Sequence, residues 1–274
     1  LMELSSQNLA LLRLTVAATV FFILLRLFYR GQTIDRSDWV YTWALGTFGV
    51  AGYFMIQYMG LKHTTTVNSS IIVGASPILT TLMSAKLFRQ EELTLAKLVG
   101  SLVGFAGIFL IFSGGEGLSI GSATLKGDLI MLVSSTTWAL FAILSKRLVD
   151  KYDPFVAIAY TYIFGAMTFL PLILRREFLH SVATMSVKAW IAGFYLAILC
   201  SVYAFFIWYR SIKILGASRT AMFNYINPLV AVMIGVLFLK EPGDIYTFLG
   251  CLAIFGGVYI ASNGKEKANI EVNH

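Results

Sequence analysis

Charged side chains are scarce in this chain of 274 residues, because Asp, Glu, Lys and Arg together make up only 13% of it. A soluble domain carries about 25%, so the composition excludes an ordinary soluble protein. Hydrophobic residues make up 58% and gather in continuous runs, at about 8–29, 39–61, 66–88, 93–113, 127–149, 154–174, 189–212, 218–239 and 245–262. Each run approaches the ~20 residues that a membrane-spanning helix needs. The sequence therefore predicts an all-α integral membrane protein that contacts the lipid bilayer.

Cysteine and histidine are also rare. Cys200 and Cys251 both fall inside apolar runs, without the spacing of metal ligands, and are interpreted as packing residues. The three histidines fall in predicted loops or the C-terminal tail: His63, His180 and His274. No glycine-rich phosphate loop is present. The sequence therefore predicts neither a metal site nor a cofactor.

Carboxylates are missing from the depth of the runs. All 14 Asp and Glu residues fall in predicted loops, in the tail or at the ends of runs. A membrane-embedded enzyme would need a nucleophile, base or metal at that depth, so the sequence argues against an enzyme. Proton-coupled carriers usually keep a titratable group within the membrane, so we also expect no proton relay through these runs.

The chain repeats itself at an offset of about 150 residues. Residues 53–110 match 204–260, with Pro77 falling on Pro228 and, after a one-residue deletion, Gly107 on Gly257. A duplicated membrane bundle with proline-interrupted spans is typical of transporters whose site lies at the repeat interface. We predict a first repeat over 1–118, a second over 124–263 and a tail over 264–274.

The repeat also predicts a helix that this sequence does not contain. The span at 127–149, moved back by about 150 residues, falls before Leu1. We therefore expect two five-helix repeats, a ten-helix bundle in all, with its first helix absent here. Because five is odd, the two repeats would lie in the membrane with opposite orientations.

The net charge of +7 is explained by the distribution of Lys and Arg between the two sides of the membrane and does not indicate nucleic-acid binding. With the tail taken as cytoplasmic, 14 of the 21 Lys and Arg residues fall on the inner side and six on the outer, while Arg13 lies within the first run. This distribution follows the positive-inside rule. We predict a multi-pass protein of the plasma membrane with a cytoplasmic C-terminus; a monomer and a homodimer both remain open.

Polar residues on the proline-bearing spans are candidates for solute binding. On the span 218–239, Asn224 and Asn227 share one face with Thr220, and Pro228 removes the helical donor of the Asn224 carbonyl. The matching stripe on 66–88 is Ser69, Val73, Ser76 and Thr80, and Pro77 frees the Val73 carbonyl. The two prolines are candidate hinges. The alternative is that these polar groups only join helices.

A second pair of stripes adds aromatic surface. It consists of Gly46, Val50, Tyr53 and Gln57 against Ala197, Ser201, Ala204 and Trp208, with Trp138 from the span 127–149. Aromatic walls with a few polar groups are usual for a small-molecule site. In a chain with 14% aromatic residues, ordinary packing or lipid contact is the competing interpretation.

The order of these features resembles the EamA family of the drug/metabolite transporter superfamily. The second repeat carries most of the likeness, and the first keeps the same skeleton. The shared segments are Gly127-Asp128-Leu129, Trp138-Ala139, Lys146-Arg147, Asn227-Pro228-Leu229 and Leu239-Lys240-Glu241, with Pro77, Glu91, Gly100 and Gly107 in the first repeat. Arg13 matches an arginine usual in the family's second helix. The polar start Thr64–Ser70 and the segment Gln90–Glu92 depart from the family pattern.

The resemblance implies a secondary transporter of a small organic metabolite, for instance an amino acid or a related export product. It would work by alternating access between inverted repeats. A small-drug exporter is the second interpretation. A non-transporting receptor or scaffold is the third, because neither a receptor nor a scaffold would require broken helices at matching depth in both repeats.

Overall fold

The computed structural model describes residues 4–113, 122–238 and 245–263. Regular structure in these ranges is helical, with no β-strand among the described residues. The long helices are α1 (Ser6–Phe28), α4 (Leu95–Ser113), α5 (Ser122–Lys151) and α10 (Ile245–Asn263). Helix α6 runs over Pro154–Thr168 and Leu170–Ile173, and α7 is the short helix Arg176–Ala183.

The remaining helices are each built of three consecutive segments. Helix α2 comprises Trp39–Ala44, Leu45–Gly52 and Tyr53–Leu61, and α3 comprises Thr66–Gly74, Ser76–Leu82 and Met83–Leu87. Helix α8 comprises Val187–Ala197, Ile198–Tyr203 and Ala204–Leu215, and α9 comprises Ala217–Met222, Phe223–Tyr225 and Ile226–Phe238. All segments named here are helical, but several are not α-helical, and this matters for the site.

The nine predicted runs correspond to nine of these helices, with ends that agree within about five residues. In the part of the chain that the structure describes, six helices are long and apolar enough to cross a membrane: Gln7–Phe28, Thr66–Leu87, Leu95–Phe112, Thr124–Lys151, Val187–Leu215 and Ile245–Ser262. Helix α7 was not predicted. Its Phe178 is buried in the same hydrophobic cluster as Leu11 and Leu12. Ser181 Oγ accepts a hydrogen bond of 2.9 Å from the Asn8 side chain. Segment Leu239–Glu241, His274 and the tail 264–274 lie outside the described residues.

Loops that the charge pattern assigns to one side of the membrane meet at one end of the bundle. Asp38 is buried there and accepts hydrogen bonds from Arg147 (3.0 Å), Lys151 (2.7 Å) and Tyr152 (2.7 Å). Hydrogen bonds from Lys151 and Tyr152 hold the pKa of Asp38 below its usual range. Lys213 Nζ donates to the Tyr152 carbonyl. We call this the basic end.

The other end is tied by a second carboxylate. Thr64 donates its hydroxyl hydrogen to Asp128, and the Asn68 amide lies 3.2 Å from both Asp128 oxygens. These contacts join the start of α3 to the start of α5. Thr65 meanwhile caps α3, because its side chain accepts from the Asn68 backbone N–H. We call this the opposite end.

Helices α4 and α10 run antiparallel and cross at glycines. A Cβ at Gly100 would lie 2.5 Å from the Gly257 carbonyl oxygen, and a Cβ at Gly107 would lie 2.6 Å from that of Gly250. The repeat offset makes Gly100 equivalent to Gly250 and Gly107 equivalent to Gly257. The contact Gly100–Gly257 is therefore the repeat equivalent of the contact Gly107–Gly250. Glycine permits this close backbone approach.

Two further helix pairs are related by the same offset. Helix α1 packs against α8, and α6 packs against α2. At the second contact, a Cβ on Gly46 would lie 2.1 Å from the Thr161 carbonyl oxygen. Gly46, predicted to share a cavity-facing stripe, instead serves helix packing.

Candidate functional site

A central cavity of about 630 Å³ lies among seven helices, namely α1, α2, α3, α4, α5, α8 and α9. This volume falls within the roughly 300–1,000 Å³ usual for small-molecule sites. The lining comes mainly from the half of the bundle nearest the opposite end, for example Leu61 at the end of α2 and Phe112 near the end of α4. The cavity is therefore placed between the middle of the bundle and that end.

The structure brings together the polar and aromatic residues that were the main candidates for solute binding. All eight candidates and both candidate hinges line this one cavity: Tyr53, Gln57, Ser69, Ser76, Trp138, Trp208, Asn224, Asn227, Pro77 and Pro228. These residues come from five different helices and from both repeats. That they bind a solute stays a prediction.

Both proline-bearing helices are broken just before the proline. Helix α3 is interrupted at Ala75, two residues before Pro77, and α9 passes through the 3₁₀ turn Phe223–Tyr225 before Pro228. In α3 the Ile72 carbonyl accepts a hydrogen bond of 3.1 Å from Ser135 Oγ on α5. The sequence analysis pointed to the carbonyl one residue later, at Val73, because Pro77 has no N–H to donate to it. Discontinuous helices with accessible backbone groups are typical of transporter sites.

Helices α2 and α8 contain π-helical segments at matching positions. These are Leu45–Gly52 and Ile198–Tyr203, and each is followed by a cavity-lining residue, Tyr53 or Ala204. The i→i+5 pattern changes the helical register. The predicted stripes were therefore wrong in their first halves, because Gly46, Val50, Ala197 and Ser201 do not line the cavity, whereas Tyr53, Gln57, Ala204 and Trp208 do.

Aromatic rings form one wall, with Trp138 at its centre. The Trp138 ring lies 4.9 Å from Tyr53, 5.1 Å from Trp208 and 5.8 Å from Phe205, centroid to centroid. These are distances at which aromatic pairs attract. The wall offers a flat organic group a large apolar surface.

Several polar atoms on the lining lack a protein partner. Trp208 Nε1 and Ser76 Oγ are buried and make no hydrogen bond within the described residues. The amides of Asn224 and Asn227 also make none there. Because unmade hydrogen bonds of buried groups cost about 1–3 kcal/mol, Trp208 Nε1 and Ser76 Oγ are natural contact points for a polar solute. Asn224 is half-buried and Asn227 is exposed, so their amides are accessible to a solute.

A packed layer separates the cavity from the basic end. Ser145, Thr161 and Tyr209 are fully buried in it, and the Tyr209 hydroxyl lies 3.1 Å from Ser145 Oγ and 3.4 Å from Thr161 Oγ1. Tyr225 closes the layer beside α4 by donating to the Ser101 carbonyl at 2.9 Å. These buried side chains fill the bundle on the basic-end side of the cavity.

Arg13 also lines the cavity, and the sequence reasoning did not select it. Its guanidinium stacks 4.4 Å from the Phe54 ring centroid and lies 3.2 Å from Ser201 Oγ and 3.4 Å from the Tyr58 hydroxyl. A charged residue within a span usually faces a cavity, so its position in the first run was a sufficient signal. Phe54 and Phe205 were missed because aromatic content alone does not select a face.

The pattern of the EamA-like transporter family matches residues 1–113 and 125–263. The chain belongs to the EamA-like transporter family. The resemblance inferred from the residues is thereby confirmed. For this EamA-like protein, membrane transport is the family activity.

Relatives extend the match over most of the chain. An uncharacterized transporter of Archaeoglobus fulgidus is 30% identical over 96% of this chain and 89% of its own length. The uncharacterized transporter YyaM of Bacillus subtilis is 28% identical over 94% of this chain and 87% of its own length. A crystal structure with 21% identity superposes with a TM-score of 0.79, covering 94% of this chain and 88% of its own, which shows a shared fold.

Proposed function

We propose that this chain is a secondary transporter that moves a small organic metabolite through the central cavity by alternating access. The observation that carries the proposal is the composition of the cavity. Its polar wall comes from broken helices α3 and α9, whose prolines are repeat equivalents. A site shared by two equivalent halves can be exposed by each half in turn.

Inverted repeats are supported by the glycine crossing. The contacts Gly100–Gly257 and Gly107–Gly250 exchange equivalent residues, which is the pattern of a two-fold axis. Because α4 and α10 are antiparallel, that axis runs across the helices. If they span the bilayer, the axis lies in the membrane plane, as five-helix repeats of opposite orientation require.

The conformation is best interpreted as outward-open. Lysines and arginines concentrate at the basic end, which the positive-inside rule places in the cytoplasm. The cavity lies in the other half, and the layer around Tyr209 closes the cytoplasmic half. Transport then requires this layer to separate while the Asp128 end closes. The protein would reside in the plasma membrane and exchange one small solute at a time.

A small-drug exporter is the second candidate, favoured by the aromatic wall around Trp138. The two candidates differ in their need for the polar wall. A metabolite with several hydrogen-bonding groups requires Asn224 and Asn227, whereas a lipophilic drug can be held by the rings alone.

Replacing Asn224 or Asn227 by alanine should slow exchange about 3- to 10-fold and leave the melting temperature nearly unchanged. Each amide lines the cavity and makes no hydrogen bond within the described residues, so its removal loses a solute hydrogen bond, worth about 0.5–1.5 kcal/mol, and no packing. A thermal-shift screen of amino acids, nucleotide sugars and drugs first selects solutes that bind. The measurement is then the exchange of these labelled solutes into proteoliposomes.

Ser262→Ala is the control, since its hydroxyl donates to the Val258 carbonyl at 2.7 Å on α10, away from the cavity. Wild-type exchange in both asparagine variants would contradict the metabolite site. Loss of folding in both would show that these amides serve helix packing.

A further inference from the structure

Arg13 is the one charged side chain on the cavity lining among the described residues. It lies within the membrane span of α1, where a charge is costly unless it is compensated. No described carboxylate lies within 4.0 Å of its guanidinium. Among the described residues, the cavity lining therefore carries a formal charge of +1 without a counter-ion.

The hydrogen-bonding capacity of Arg13 is mostly unused. A guanidinium has five N–H donors, and two contacts occupy it, to Ser201 Oγ at 3.2 Å and to the Tyr58 hydroxyl at 3.4 Å. The Nε atom is buried and has no partner within the described chain. The guanidinium lies over the Phe54 ring, 4.4 Å from its centroid.

We propose that Arg13 binds a carboxylate of the transported solute, whose apolar or aromatic part lies against the wall of Trp138. A planar carboxylate matches the guanidinium fork and accepts two charge-assisted hydrogen bonds. It also supplies the missing counter-ion at membrane depth. This assignment rests on the proposed function and names its substrate class as organic acids, amino acids with their carboxylate included.

A purely structural role is the alternative, because Arg13 joins α1 to Tyr58 on α2 and Ser201 on α8. The two roles differ in ligand selectivity. If Arg13 only stabilises the fold, it should not favour the binding of a carboxylate over that of the neutral amide of the same shape. If Arg13 binds an anion, the carboxylate should bind more tightly than the amide.

The test uses 3-phenylpropionate, its amide 3-phenylpropionamide and phenethylamine as probes, titrated calorimetrically against the purified chain in nanodiscs. Wild type should bind the acid at least about tenfold more tightly than the amide, since charge-assisted hydrogen bonds are the stronger ones. Arg13→Gln should remove this preference and retain amide binding, and Arg13→Lys should retain part of it. Arg26→Gln, on the exposed part of α1 beside Phe22, should leave the preference unchanged.

Equal binding of acid and amide by wild type would overturn the proposal, and this comparison stands even if Arg13→Gln fails to fold. Wild-type affinity of a folded Arg13→Gln protein for the acid would overturn it too. If only the amide and amine bind, and Trp138→Ala abolishes that binding, the carboxylate site is wrong while the cavity stands. If no probe binds wild type, the carboxylate site and the cavity proposal both fail.

Discussion

Replacing Gly257 by leucine should destabilise the protein by about 3 kcal/mol, at the upper end of the usual cost of overpacking. A Cβ at this position would lie 2.5 Å from the Gly104 nitrogen and 2.6 Å from the Gly100 carbonyl oxygen. Both neighbours are backbone atoms of α4, so α4 and α10 would have to separate. The measurement is reversible unfolding in detergent micelles, followed by circular dichroism.

The adjacent glycine is a matched control. A Cβ at Gly256 would have no neighbour within 4 Å, so Gly256→Leu should change the unfolding free energy by no more than about 0.5 kcal/mol. If both variants are equally stable, the helices are not in the close contact described here, and the two-fold relation inferred from that contact loses its support.

Replacing Glu91 by glutamine should destabilise the protein by about 3 kcal/mol. The substitution removes the negative partner of a buried ion pair, and breaking such a pair is strongly destabilising. Glu91 lies 2.9 Å from Lys97 Nζ, with both side chains almost fully buried. It also accepts a hydrogen bond of 3.1 Å from the Ser218 backbone N–H, so it caps the first turn of α9 from the other repeat.

Two comparisons make this prediction specific. Glu92→Gln should have little effect, because the Glu92 side chain is exposed and only its carbonyl contacts Lys97. The double variant Glu91→Gln with Lys97→Met should recover part of the loss, since a buried pair can often be replaced by apolar residues. A stable Glu91→Gln protein, or a double variant worse than the single one, would contradict the role assigned to the pair.

The same pair predicts acid sensitivity. Burial raises the pKa of Glu91, but the hydrogen bond and charge of Lys97 outweigh it, and the net pKa lies below its usual value. A carboxyl whose pKa is depressed in the folded state contributes stability above its unfolded pKa and loses it as pH falls through the folded pKa. The Glu91→Gln penalty should therefore shrink below about pH 4.

Apolar run length and the internal repeat were enough to predict the nine helices and the shared cavity position of the candidates around Pro77 and Pro228. Proline acts through local chemistry, the loss of one N–H donor, so its consequence is visible in sequence. The π-helical segments Leu45–Gly52 and Ile198–Tyr203 were not predictable in this way. Their register change arises from tertiary packing, and a fixed period of 3.6 residues misplaces every residue on one side of them.

Arg13 and α7 escaped prediction for different reasons. Arg13 was visible as a charge in an apolar run, but the absence of a carboxylate beside it in the described part of the chain is a property of the folded bundle. Helix α7 has too few residues to give a membrane signal, and it is held by Phe178 and by the Asn8–Ser181 hydrogen bond. Contacts far apart in sequence decide both.

Alternating access is tested most directly by side-specific labelling of single cysteines after Cys200→Ala and Cys251→Ala. Gln57→Cys lies on the open cavity, Ser145→Cys in the closed layer, and Phe48→Cys on the exposed outer surface as a control. With a membrane-impermeant maleimide, we predict labelling of Gln57→Cys from the outside and of Ser145→Cys from the cytoplasmic side. Prior labelling at position 57 should hold the cavity open and protect position 145, and Phe48→Cys should react from neither side. If Ser145→Cys never reacts from the cytoplasm while Gln57→Cys reacts fully, the cavity is a one-sided pocket and alternating access is wrong.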